Sequence, residues 1–245
     1  MRLFLIVNSK NVTIDGIIIC DPGSWNTQIL KFEDVTIRNV KMMNDVELSN
    51  TDGFDPDASK RILIEHCFAY CGDDNIAIKT TNTSGYLKDV DDITVRGCVF
   101  LTRKSSLKVG TETRGAAMKN ILFGDNDVVE SDRGMALYCS DGALFQNIRF
   151  INNRFEDNYP DAKQCGIHFT INKRNANSNI GQMKGILIKD CVFYKSFPKV
   201  SAIVGFDEGH RIQMTVENLV IAEKKCNTVS DSHIAPNGFT DVTIK

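Results

Sequence analysis

The chain has 245 residues, 42% hydrophobic and 24% charged, with a formal net charge of −2. That suffices for one good hydrophobic core and is ordinary for a globular domain. No basic stretch or aromatic–basic interleaving points to nucleic acid, and no apolar run approaches membrane-spanning length.

The opening MRLFLIV has only a short apolar part and runs into NSKNVTI without a small-residue cleavage site, so it reads as a strand. From there one phrase recurs along the chain: SKNVTIDGI, FEDVTIRNV, SKRILIEHC, VDDITVRGC, MKNILFGDN, FQNIRFINN, MKGILIKDC, VENLVIAEK and FTDVTIK. Aligned, these place apolar residues at Val12, Val35, Ile62, Ile93, Ile121, Ile148, Ile186, Leu219 and Val242. Two residues on, Ile14, Ile37, Ile64, Val95, Phe123, Phe150, Ile188, Ile221 and Ile244 are apolar again. Period-2 alternation makes each phrase a strand with one buried face. Seven residues past the first anchor runs a third ladder: Ile19, Met42, Ala69, Phe100, Val128, Phe155, Phe193 and Cys226. Between the ladders, Cys67, Cys98, Asn126, Asn153 and Cys191 share one level.

Stacked levels at a period near 28, with short polar turns and no helical pattern, predict an all-β fold: a single-stranded right-handed parallel β-helix of about nine rungs. Residues 1–245 read as one such domain, lacking a complete N-terminal cap. At about 4.8 Å per rung the rod is about 40 Å long. The longer intervals place insertions at 156–183 and 194–216, in loops on one side. The eight cysteines include no CxxC pair and read as small buried residues.

Two acidic runs interrupt this regularity. NTDGFDP spans Asn50–Pro56 and GDDNIAIKT starts at Gly72, setting Asp52 and Asp73 21 residues apart. That spacing is slightly under one turn of the helix, so the runs can lie on adjacent strands of one sheet. Three readings stand at this point: Asp/Asn/Gly corner turns, a calcium site, or carboxylates paired for general acid and base chemistry. An inverting pair wants its carboxyls roughly 6.5–9.5 Å apart.

The paired motifs resemble the Asn-Thr-Asp and Gly-Asp-Asp signatures of polygalacturonase-like glycoside hydrolases, family 28. The upstream SKNVTIDGIIICDPGSWNTQIL, including Trp25, is similar as well, and the resemblance runs from about residue 8 to about 155. It implies an inverting hydrolysis with Asp73 as general acid and Asp52 and Asp74 holding and deprotonating water. Asn50 would position part of the array and Asp55 would support it. No metal and no organic cofactor is implied; the partner is a polysaccharide or oligosaccharide, and family members of this kind are secreted or periplasmic. The chain departs from the pattern downstream. Ser105 stands where the family has a histidine, and Ala136 and Tyr138 replace the cations of Arg-Ile-Lys.

Those losses remove the usual clamp for a uronate and point to another glycan, such as a rhamnogalacturonan-type substrate. Lys79, Lys108, Glu112, Arg133, Tyr138 and His168 are the candidate replacements for sugar contact, with Phe54 as a stacking platform. His66 is read as structural, within a strand. The alternatives are a non-catalytic carbohydrate-binding β-helix and, with Arg133 as base, a polysaccharide lyase.

Overall fold

In the computed structural model, which describes residues 4–21, 24–25, 27–81, 89–160 and 163–245, the chain winds through three sheets of nine strands each. Successive turns contribute one strand to each sheet in order and pair in parallel, except that the third sheet ends in Lys224–Lys225, which pairs antiparallel with Val220–Ile221. The fold is the parallel β-helix the repeat predicts.

The second sheet contains the recurring phrases. Val12 pairs with Val35, Val35 with Ile62, Ile62 with Ile93, and Ile93 with Ile121. The column of Ile37, Ile64, Val95, Phe123 and Phe150 is fully buried. Phe123 and Phe150 stack with centroids 5.0 Å apart. Dispersion between like side chains at successive levels is what holds consecutive turns together.

One rung differs from the sequence reading. The eighth second-sheet strand is Ile212–Glu217, in which Met214 and Val216 occupy the levels assigned to Leu219 and Ile221. Leu219 lies at the corner level, and Ile221 rather than Cys226 completes the third ladder opposite Phe193. VENLVIAEK resembles the other phrases because its corner and third-sheet strand also alternate. The two proposed insertions also contain rung strands, Cys165–Ile171 and Ser201–Val204, both in the first sheet.

The corner between the second and third sheets repeats one geometry. Asn39, His66, Gly97, Asp125, Asn152 and Asp190 all have φ between 52° and 60°, the left-handed region that Gly, Asn and Asp tolerate best. His66 is therefore an exposed corner residue and not a strand residue. The next residue in each turn points inward and forms a polar column. Cys67 N–H donates to Cys98 Sγ, Cys98 N–H to Asn126 Oδ1, and Asn126 N–H to Asn153 Oδ1, at 3.4, 3.1 and 3.1 Å. Backbone groups that the turn leaves unpaired are satisfied by the side chain of the next turn.

Candidate active site

The site lies on the outer face of the first sheet. Strands Phe54–Asp57, Ile76–Thr80, Ser105–Thr113, Arg133–Cys139 and Cys165–Ile171 run side by side there. Side-chain alternation assigns the faces. Phe54, Ile76, Leu107, Met135 and Ile167 form one inward column, whereas Ala77, Lys108, Ala136 and His168 form an outward row. Phe54 is fully buried in the core, so it cannot be the sugar platform expected from sequence. If Asp55 faces out, its neighbour must face in.

Both acidic runs sit at the entry to this sheet and are tied together by backbone. Gly53 N–H donates to the Asp74 carbonyl and Phe54 N–H to the Asn75 carbonyl, each at 2.8 Å. A Cβ on Gly53 would lie 2.3 Å from Asn75 O, and one on Gly72 would lie 2.3 Å from Leu48 O. The glycines of NTDG and GDD are what let the two segments close up. One oxygen from each of Asp52, Asp73 and Asp74 falls within 4.8 Å of the others.

The three carboxyls have different surroundings. Asp73 accepts from two backbone groups, Asn50 N–H at 3.1 Å and Asp74 N–H at 2.9 Å. Asn50 thus positions the array through its main chain. Burial, and then the neighbouring Asp74, push the Asp73 carboxyl above its ordinary range. Asp74 would be raised by burial alone, but Lys108, with Arg133 and Lys79 behind it, outweighs that and holds it below the usual value. Lys108 Nζ lies 2.5 Å from Asp74 Oδ2, and Ser105 N–H reaches Oδ1 at 3.0 Å. Asp52 is buried, and that burial together with Asp55 lifts it well above the ordinary range, with Lys79 opposing at 3.1 Å. Lys79 Nζ is also 3.0 Å from Asp55 Oδ1 and lies 3.6 Å from the centre of the Trp25 ring. Close packing of three carboxylates invites a divalent cation, but here two ammonium groups already supply the counter-charge.

Beyond the acids the outward row continues to a second polar group. Arg133 donates to the Tyr138 hydroxyl at 3.4 Å, and that hydroxyl lies 2.8 Å from His168 Nδ1. Burial, followed by the charges of Lys163 and Arg133, lowers His168 to about 4, so the ring is neutral above mildly acidic pH. Burial raises Tyr138 to about 12. Arg133 is anchored by Asp132 at 3.0 Å. Asp132, which sequence reading missed, also accepts from Lys163 N–H at 2.9 Å and from Gln164 N–H at 2.5 Å; as a rung-corner acid it gave no motif signal.

Glu112 is not part of this site. It lies seven residues along its strand from Ser105, about 23 Å at 3.3 Å per residue, and pairs with Arg174 at 3.2 Å. Lys79, Lys108, Arg133, Tyr138 and His168 do line the outward face with the acids, and Trp25 covers Lys79.

The family model for glycosyl hydrolases family 28 matches residues 2–232. The chain belongs to that family. The match runs well past residue 155, where the recognisable motifs stop. Among family 28 relatives, an endo-polygalacturonase of Pectobacterium carotovorum subsp. carotovorum is 24% identical over 220 residues, covering 89% of this chain and 52% of its own length. A polygalacturonase of Chamaecyparis obtusa is 25% identical over 167 residues, 58% of this chain and 32% of that one. In structure the chain is similar to the exopolygalacturonase of Thermotoga maritima, with a TM-score of 0.76, 20% identity and coverage of 96% and 52%. The polygalacturonase of Erwinia carotovora gives a TM-score of 0.74 at 21% identity, with coverage of 100% and 60%. This family 28 chain spans about half the length of the relatives it matches, or less.

Proposed function

We propose that this chain is a glycoside hydrolase cleaving glycosidic bonds in a pectic polysaccharide, with Asp73 as general acid and Asp74 and Asp52 handling the attacking water. The observation that carries this reading is the division of the cluster by its lysines. An ammonium group lies on Asp74 and another on Asp52, while the bonds to Asp73 come from backbone N–H groups. Asp74, under Lys108, is disposed to stay ionised, and Asp73, raised by burial and the least buried of the three, is the carboxyl disposed to hold a proton where it can meet the leaving oxygen. Family membership and the polygalacturonase names of the relatives support a pectic substrate.

Lys108 and Arg133 supply positive charge beside the acids, though from positions other than 136 and 138. That relocation favours an acidic glycan whose sugar sits differently from a plain polygalacturonate chain, such as a rhamnogalacturonan. The inverting course rests on the family alone.

Reducing-end release from a panel of polygalacturonate, rhamnogalacturonan, xylogalacturonan and dextran tests the reading. Asp73→Asn should lower kcat about 10²–10⁴-fold on the active substrate with the fold intact, and proton NMR of the first product gives its anomeric configuration. Wild-type turnover that Asp73→Asn leaves unchanged would remove the assignment. Sugar binding without turnover would identify a binding module.

A further inference from the structure

Asp55 has no part in the acid–base scheme, yet it is one of the most enclosed ionisable groups in the molecule, with 0% exposure. Neither of its carboxyl oxygens makes an aligned hydrogen bond, and Asp52 Oδ1, also buried, has none. A buried carboxylate with unsatisfied oxygens carries a desolvation cost that native structures ordinarily avoid. Among the described residues the cation in contact with both is Lys79, 3.1 Å from Asp52 Oδ2 and 3.0 Å from Asp55 Oδ1. Lys79 is itself only 2% exposed, and the Trp25 ring lies against it. Two carboxylates facing one ammonium leave an uncompensated negative charge in a dry site, where like charges in contact do not both ionise.

We propose that Asp52 and Asp55 share one proton beside Lys79, so that the buried trio is neutral overall and Asp55 is a positioning residue for Asp52. The two side chains are within hydrogen-bonding reach of one another. A proton between them gives Asp52 Oδ1 and one Asp55 oxygen the partner each lacks, while Lys79 holds the other oxygens. The other charged groups around the trio leave this balance in place. Asp74 is neutralised by Lys108 at 2.5 Å. Asp57 is bound by Thr81 and Gln28. Asp73 has an oxygen within 4.8 Å of one on Asp52, and when ionised it favours the shared proton further. The thiol of Cys71, which burial and then these acids raise, stays neutral. The pair titrates as a unit, so the proton belongs to both residues.

This inference deepens the hydrolase reading but is tested without turnover. Carbon-13 NMR of side-chain carboxyls at pH 7, in protein labelled at aspartate, counts the protonated groups. In the Asp73→Asn background, which removes the general acid, one protonated signal should be lost on Asp55→Asn and the same signal on Asp52→Asn. If both substitutions leave every protonated signal of the parent in place, the shared proton does not exist. Circular dichroism melts check that each variant folds, and either variant alone suffices to locate the signal. Absence of turnover by the wild type on the glycan panel would overturn the hydrolase reading while leaving the proton count standing.

Discussion

Asp73 and Asp74 are adjacent in sequence and opposite in electrostatic setting, and the pH dependence of activity follows from that. The proposed hydrolysis needs Asp74 ionised and Asp73 protonated. Since Asp74 is held below the ordinary carboxylate value, the acid limb of kcat/KM belongs to it and lies at low pH. Asp73 is raised, so the alkaline limb is its loss of the proton as pH climbs. Lys108→Met removes the ammonium on Asp74 and should move the acid limb to higher pH; a pH–rate profile checks it, and an unmoved limb would mean that Lys108 does not govern Asp74. The acids were legible in sequence because NTDG and GDD pair a carboxylate with a glycine whose missing Cβ admits the neighbouring backbone. Phe54 was misread for a related reason: placing it beside two acids ignored the parity that turns it inward. Glu112 was misread because a strand of nine residues carries its far end out of the site.

At the scale of the strand and its corner, the period of the sequence is the register of the sheet, which is why the ladders could be read directly. Reading failed at the eighth rung, where Ile212, Met214 and Val216 alternate as the other strands do but the neighbouring corner imitates the phrase. The true strand sits 28 residues from the rungs on either side. The corner column offers a direct test of how much a stacked side chain contributes. Asn126 satisfies Cys98 N–H and donates to the Val95 carbonyl at 3.1 Å. Asn126→Ala orphans both buried groups and should cost about 1–3 kcal/mol. Asn126→Cys, which copies the Cys67–Cys98 step, should recover part of that in urea denaturation. Equal losses for the two variants would show that the corner does not depend on a side-chain acceptor.

For the whole molecule, the stacked sheets mean that each rung packs chiefly on the rungs above and below it, with surface pairs such as Arg174–Glu112 reaching across two. Stability should then vary along the axis. Ile14 and Ile64 occupy the same inward column, but Ile64 is fully enclosed while Ile14 is only partly covered. Ile64→Ala should cost about 2–5 kcal/mol, and Ile14→Ala less than half as much, by thermal or denaturant unfolding. Matching costs would argue against a gradient, and amide exchange should show the strongest protection in the central rungs.

The corner column has a consequence for how such a chain changes length over evolutionary time. Cys67, Cys98 and Asn126 each donate a backbone hydrogen to the side chain at the same level of the next turn, a thiol in one case and an amide in two, so thiol and amide are interchangeable couplings. A duplicated turn ending in either residue would dock without redesigning its neighbours. The acids occupy two particular turns, and the column makes the rest of the rod an extensible handle for them.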